Sequence, residues 1–480
     1  MRRAATFPLL LLPALLWAQT PADLPRALVF THVTVIDATG DAARPDMTMV
    51  ITGDRITALG RTGQVTTPKD AQVVDAAGKF LIPGLWDMHV HIGVTGVKYD
   101  SFFPLFVANG VTGVRDMGGV LHQVQFDVWR QEIDQGRLLG PRLVAAGTIV
   151  DGSRPVRPSI SVAAADGASG RLAVQSLARS GADFVKIYSL LGRDAYFAIA
   201  DEAQKRKIPF AGHVPDSVTA TEASDAGQKS IEHLLGVALS CSTNEAGLRK
   251  HLTETSLEPD VAWLASLRIE AESLNSYSPE KAARLFARFA KNDTWQCPTL
   301  TALRALASAD GNSLTHDARF KYLPLSLQRM WSPAGVPPWK DQTAESIKNQ
   351  RRSFLSKLDL VKTMHRAGVG LLAGTDAPSL HCYPGFGLHD ELELMVEAGL
   401  TPMQALQTAT LNPARYLGKE QDLGTVGVGK LADLVLLDAN PLVDIRNTRQ
   451  INAVVINGRL LDRAKLDHML ADVEAANRKP

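Results

Sequence analysis

The chain has 480 residues, enough for a large core or for two domains. Its 51 basic and 50 acidic residues nearly cancel, leaving no basic stripe for nucleic acid or an anionic membrane surface. A small-molecule partner is the expectation that remains.

The N-terminus reads as a leader. Met1-Arg2-Arg3 precedes an apolar core from Phe7 to Trp17, and Ala18 supplies a small residue at the cleavage point. Residues 1–18 therefore predict export, to a periplasm or as a secreted protein. The run is short for a membrane span, and no cysteine follows it to carry a lipid, so no stable anchor is expected. A single retained anchor is the alternative reading. Loss of Arg2 and Arg3 leaves 49 basic residues against 50 acidic ones.

Residues 19–80 form the first part of a small β domain. Val29–Ile36, Met49–Thr52 and Arg55–Leu59 are β-branched runs, separated by the turn signals Asp37-Ala-Thr-Gly40 and Thr52-Gly-Asp54. Residues 416–465 repeat that texture, with Leu434-Val-Leu-Leu and Ala453-Val-Val-Ile-Asn-Gly458, and residues 466–480 form a tail. Neither half is long enough to stand alone, so the two chain ends are expected to pair into one β-sandwich. Between them, residues 81–415 alternate helical and strand-like runs: a helix over His122–Gln135, then strand Arg142–Ala146; helix Ser169–Arg179, then strand Asp183–Tyr188; helix Asp194–Lys205, then strand Ile208–His213. That alternation predicts an α/β protein with a (β/α)8 barrel, whose active site sits where the strands end. Two stretches exceed a barrel's needs, 242–292 and 301–349, the latter containing Trp331-Ser-Pro-Ala-Gly-Val-Pro-Pro-Trp339. They are candidate lids, or else surface decoration.

The first barrel-like run ends in His89-Val-His91. Alternation points both imidazoles the same way, with Met88 and Val90 directed into packing. Paired imidazoles can grip one metal ion, although a bare pair could equally be a polar strand end. Further ligand-type residues close other strand-like segments. Lys186 stands in Asp183-Phe-Val-Lys-Ile-Tyr188, sharing a face with Phe184 and Tyr188, where a buried cation is costly unless altered or paired. His213 and His233 follow, either of which could be an ordinary core histidine, and Asp376 ends Ala-Gly-Thr-Asp, where it could be a helix N-cap.

In this order the six residues resemble the metal site of the amidohydrolase superfamily, over about Leu28 to Arg459. Gly110-Val-Thr-Gly-Val-Arg-Asp116-Met-Gly-Gly119 and Gly140-Pro-Arg-Leu-Val-Ala-Ala-Gly147 are similar to its prolidase-like dipeptidase and N-acyl amino acid hydrolase branch. The resemblance implies that His89 and His91 come from barrel strand one, Lys186 from strand four, His213 from five, His233 from six and Asp376 from eight. It further implies two divalent metal ions, zinc first, bridged by a carbamate on Lys186. His89, His91 and Asp376 would hold the more buried ion, and His213 with His233 the other. Two ions about 3.5–4 Å apart can share a hydroxide and polarise a carbonyl. Asp376 would shuttle the proton.

The expected reaction is hydrolysis of an amide in a dipeptide or an N-acyl amino acid, a substrate bearing a carboxylate. A lactonase or other ester hydrolase could use the same residues. A deaminase usually carries a Glu just after the fifth-strand histidine, where this chain reads His213-Val-Pro-Asp-Ser. A non-catalytic binding protein fits poorly with a complete ligand set. Tyr188 and His122 are the expected substrate contacts, each with packing or helix-end bonding as the alternative. His381 and His389 are expected at the mouth, and Arg115 could balance a substrate carboxylate, although alternation does not place it on the Asp116 face. Of the three cysteines, Cys241 and Cys297 are a candidate disulfide and Cys382 is left over. A homo-oligomer is compatible with all of this.

Overall fold

The computed structural model describes residues 26–93, 97–255, 259–307, 317–331, 344–379 and 381–478. The leader expected at 1–18 and residues 332–339 of the second insertion's Trp-Pro segment lie outside the described residues. Among those described, no helix is long and apolar enough to cross a membrane.

The first strands are β1 (Leu28–Val35), β2 (Arg44–Thr52), β3 (Arg55–Arg61), β4 (Gln72–Asp75) and β5 (Phe80–Pro83). The central region supplies β6 (Leu85–Val90), β7 (Val111–Asp116), β8 (Arg142–Ala145), β9 (Ile149–Asp151) and β10 (Ser161–Ala163). It continues with β11 (Val185–Ile187), β12 (Phe210–Gly212), β13 (Ser230–Glu232) and β14 (Trp295–Cys297). The C-terminal region adds β15 (Leu434–Leu437), β16 (Ile451–Ile456) and β17 (Arg459–Asp462).

Both chain ends join one eight-stranded, mostly antiparallel sheet in the order β17-β16-β15-β5-β1-β2-β3, with β4 on β1. β1 divides its edge: Leu28–Thr31 pair with β4, and Thr34–Val35 pair with β5. β15 shows why four apolar residues run together there. Leu434 and Leu436 pack with Phe30, Val33 and Met49 in the small domain, whereas Val435 and Leu437 join the barrel's own core. A strand buried on both faces needs no polar alternation.

The central strands are parallel and fall into two groups, β6-β7-β8 and β10-β9-β11-β12-β13-β14. Backbone hydrogen bonds cross both seams between them. At one, Asp183 N–H donates to Ala145 O at 3.0 Å. At the other, residues 369–376 act as the eighth stave without a regular ladder: Leu372 N–H reaches Gln296 O at 2.9 Å, and Met88 N–H reaches Ala373 O at 2.9 Å. Close approach explains the glycines in this stave. A Cβ on Gly370 would lie 2.4 Å from the Trp295 ring, and one on Gly374 would lie 2.5 Å from Cys297 Sγ and 2.8 Å from His89 Cβ. The expected helices appear at Gln123–Asp134, Gly167–Arg179 and Arg193–Arg206.

Three expectations change. Residues 466–480 are not a simple tail, because Arg463–Asn477 is a helix that buries Leu466 and pairs Glu474 with Lys321 at 2.7 Å. Cys241, Cys297 and Cys382 are all free and buried, so the Cys241–Cys297 disulfide is not formed. Each thiol sits in packing, and burial pushes Cys241 up to about 12, which leaves it unreactive. His389 also leaves the mouth: it is buried, with Nδ1 3.0 Å from Thr448 Oγ1 and Nε2 donating to Asn109 O at 3.1 Å.

The small domain is tied to the barrel by Arg142 at the start of β8, which donates to Asp433 at 2.5 Å and to Asn457 Oδ1 at 2.9 Å. The Asp433 side chain is 4% exposed, so it cannot recover its solvation when the partner is lost. Breaking a largely buried pair is costly, discounted here for the more accessible arginine. Arg142→Met is expected to cost about 2 kcal/mol, read as a lower urea midpoint, with the opposite end of the barrel unchanged.

Candidate metal centre and active site

A break in strand regularity sets the geometry of the site. β6 pairs with β7 through register shifts between Leu85 and Trp86 and between Asp87 and Val90. On the lower side, Trp86 and Met88 pack with Trp295 and Tyr416 in the barrel interior. On the upper side, His89 and His91 face the site with their rings 5.4 Å apart. Asp87 secures the junction, its carboxylate accepting from His89 N–H at 3.2 Å, Thr375 N–H at 3.0 Å and Thr375 Oγ1 at 2.7 Å.

All six sequence-predicted ligands gather at this end. The Nε2 atoms of His91 and His89 lie 3.2 and 3.3 Å from Asp376 Oδ1. One nitrogen of His89, one nitrogen of His233 and an Asp376 oxygen lie within 4.8 Å of one another. The His89 and His233 rings are 4.6 Å apart, and those of His233 and His213 are 5.1 Å apart. Lys186 is fully buried beside them, at the centre of the short strand β11.

Each histidine has its Nδ1 engaged elsewhere. His89 Nδ1 donates to Glu232 Oε2 at 2.7 Å, and His91 Nδ1 donates to Gly118 O at 2.6 Å. His213 Nδ1 pairs with Ser189 Oγ at 2.7 Å, and His233 Nδ1 pairs with Thr299 Oγ1 at 2.7 Å. Partners of this kind fix ring orientation and leave Nε2 for a ligand role. Among the described residues, the buried Nε2 of His213 and Nζ of Lys186 have no hydrogen-bond partner, and His89 Nε2 meets only Asp376 Oδ1, at 3.3 Å. Such polar atoms are costly to bury, so their convergence marks a place for a cation. Four imidazoles with a carboxylate suit zinc, and the residues therefore fit the implied metal.

Electrostatics agree with that fit. Burial drives His213 well below the usual imidazole range and His233 down to about 3, so both are neutral, the form that ligates. Burial also lowers the Lys186 ammonium to about 8, against the pull of Glu232 and Asp376. An appreciable share of neutral amine is what carbamate formation needs. Burial pushes the Asp376 carboxyl up, but His89, His91 and His233 outweigh it and hold the group well below the carboxylate range.

Sequence reasoning missed the layer beneath. Glu232 immediately precedes His233, and its carboxylate takes Arg115 Nη2 at 2.9 and 3.0 Å while accepting from His89. Arg115 further donates to Met88 O at 2.6 Å, to Ser230 Oγ at 2.9 Å and to Tyr416 OH at 2.8 Å. Arg115 is therefore not a substrate contact: it is fully buried with its donors committed. A Glu–His pair at a strand end was the available signal for Glu232. Arg115 had none, since its partners are remote in sequence. Asp116 was visible in its glycine-rich segment, and it accepts from Ile92 N–H at 2.6 Å and Gly118 N–H at 2.9 Å, holding the loops around His91.

The expected substrate contacts divide. Tyr188 stacks on His213, with centroids 3.9 Å apart and planes at 28°. Burial pushes its phenol up to about 12, keeping it a hydrogen-bond donor, and Arg157 bonds to it. His122 is exposed at the N-cap of the helix Gln123–Asp134 and makes no capping bond. His381 is half-buried near Trp331, ring centroids 5.2 Å apart.

Glu232→Gln tests the layer under His89. It removes the carboxylate that orients the ring and leaves the Arg115 charge buried without its partner. Zinc affinity is expected to fall about 10–100-fold, measured by competition with a chromophoric chelator, together with a clear loss of stability.

A sequence model of the amidohydrolase family matches residues 80–461. Among curated relatives, ochratoxinase of Aspergillus niger is 23% identical over 433 residues, covering 78% of this chain and 73% of that protein. Matches to curated deaminases are shorter, spanning only 12% to 28% of those proteins. Bottromycin amidohydrolase is a structural neighbour with a TM-score of 0.74 at 22% identity, covering 95% of this chain and 92% of that one. A Xaa-Pro dipeptidase solved with methionine in its active site has a TM-score of 0.65 at 21% identity, covering 91% and 100%. With the family's sequence pattern running from β5 to β17 and its fold shared by these neighbours, the chain belongs to the amidohydrolase family.

Proposed function

We propose that this amidohydrolase-family enzyme is an exported, metal-dependent hydrolase of an amide bond in a dipeptide or N-acyl amino acid. The observation that carries the metal reading is the convergence of His213 Nε2 and Lys186 Nζ, both without a hydrogen-bond partner, with His89, His91, His233 and Asp376, each histidine held from behind through Nδ1. Ochratoxinase, bottromycin amidohydrolase and the Xaa-Pro dipeptidase bear names that support the reading of an amide substrate. Export rests on the sequence of residues 1–18.

His89, His91 and Asp376 would hold one divalent ion and His213 and His233 a second, with Lys186 as a carbamate between them. When bound, such ions lower the pKa of water and polarise a carbonyl. The protein supplies the remainder. Asp376, partly open to the site, accepts the proton of the attacking water and returns it to the nitrogen of the leaving amine. Tyr188, protonated and stacked on His213, donates a hydrogen bond to the carbonyl oxygen as it gains charge, or to the substrate carboxylate. Arg157, bonded to Tyr188, adds positive charge suited to a carboxylate-bearing substrate.

Removal of metal with a chelator is expected to abolish activity, and zinc to restore it; a fully active metal-free protein would refute the proposal. Lys186→Ala should lose most metal and nearly all turnover, with partial rescue by short carboxylic acids. Unchanged metal content would make Lys186 structural. Asp376→Asn should lower kcat by about 10²–10⁴ with a small change in KM, metal content being measured on the same sample. If that variant keeps metal and turnover, His381 is the next candidate for the proton shuttle. A screen of dipeptides, N-acyl amino acids and lactones decides the substrate class, and preference for a lactone would reassign the enzyme to ester hydrolysis.

A further inference from the structure

The backbone that follows His233 is unusual. His233 has φ +60° and Leu234 φ +55°, two adjacent side-chain-bearing residues in the left-handed region, and Gly236 follows at φ +77°. Such conformations persist where surrounding contacts over-determine them. The contacts here come from the first insertion and from the helix that leads into the eighth stave. Glu270, on the insertion helix Pro259–Ser273, accepts from Gly236 N–H at 2.8 Å. Lys357, on the helix Ala344–Arg366, donates to Glu270 Oε2 at 2.6 Å and to Leu234 O at 3.3 Å. Both side chains are nearly sealed from solvent, 7% and 5% exposed. Gly236 also lies against Val214, the neighbour of His213: a Cβ at Gly236 would stand only 3.2 Å from Val214 Cβ.

We propose that Glu270 is a positioning residue for the metal centre. Its carboxylate, balanced by Lys357, holds the loop 234–236 and so fixes His233 and, through Val214, His213. The first insertion, and the helix that leads into the eighth stave, are thereby mechanically joined to the residues read as ligands of the second ion. This inference rests on the reading of His213 and His233 as ligands. It differs from a purely structural role in one respect: a buried ion pair elsewhere would stabilise the fold without influencing metal retention.

The experiment follows zinc transfer from the holoenzyme to 4-(2-pyridylazo)resorcinol, alongside urea unfolding. Glu270→Met removes the acceptor for Gly236 and is expected to release zinc at least tenfold faster than wild type. Glu270→Asp withdraws the oxygen by one methylene while keeping the charge, and should also speed release should the Met variant fail to fold. Glu270→Gln combined with Lys357→Met keeps an acceptor oxygen and buries no charge, so release should return towards the wild-type rate. Arg142→Met is the reference, destabilised at the far end of the barrel with zinc release unchanged. Release from the Glu270 variants no faster than from Arg142→Met overturns this inference alone. A wild-type protein that holds no zinc overturns the site reading beneath it.

Discussion

The buried contact between Arg115, Glu232 and His89 is the constraint around which the site is organised. Two opposite charges removed from water gain little net stability, because their attraction is largely spent on desolvation. Losing one partner is a different matter and costs about 3–5 kcal/mol, since the other charge stays buried. The pair is therefore better understood by what it arranges. Glu232 presents an oxygen to His89 Nδ1, and Arg115 joins β7 to Met88 of β6, to Ser230 of β13 and to Tyr416. Three elements of the barrel interior are set by one guanidinium before any ligand of the metal is considered.

Above that layer the design is repeated with neutral partners. Gly118 O, Ser189 Oγ and Thr299 Oγ1 each take one imidazole Nδ1, so the remaining nitrogens are aimed inward. The backbone is bent to suit. His233, Thr299 and Asp376 all have positive φ, at 60°, 47° and 63°. Backbone strain of this kind is held where packing and hydrogen bonds outnumber it, and here it turns candidate ligand side chains away from the strand directions that feed them.

Much of the fold was legible because hydrophobic pattern reports period directly. The alternating runs of the N-terminal strands, the four-residue apolar run of β15 and the helices flanking β8, β11 and β12 all fall where the pattern places them. The eighth stave was readable as an apolar segment ending in Asp376, but not as an irregular one. Its glycines serve Trp295, Cys297 and His89, residues from other strands. The candidate ligand residues were readable for a similar reason: each stands in or just after a strand or the eighth stave, and the order along the chain follows the order around the barrel.

What the sequence by itself determined was local: strand and helix periods, the ligand-type residues and the position of each at a strand end. Backbone geometry and residue chemistry dictate these within a few neighbours. Only the tertiary structure decided the partners. It left the three cysteines unbridged, carried His389 away from the mouth to Thr448 and Asn109, and buried Arg115 under the site instead of placing it on a substrate. Those outcomes depend on distances between residues remote from one another in the chain. A side chain's propensity is the same whichever partner the fold brings to it, so the choice is made by packing alone.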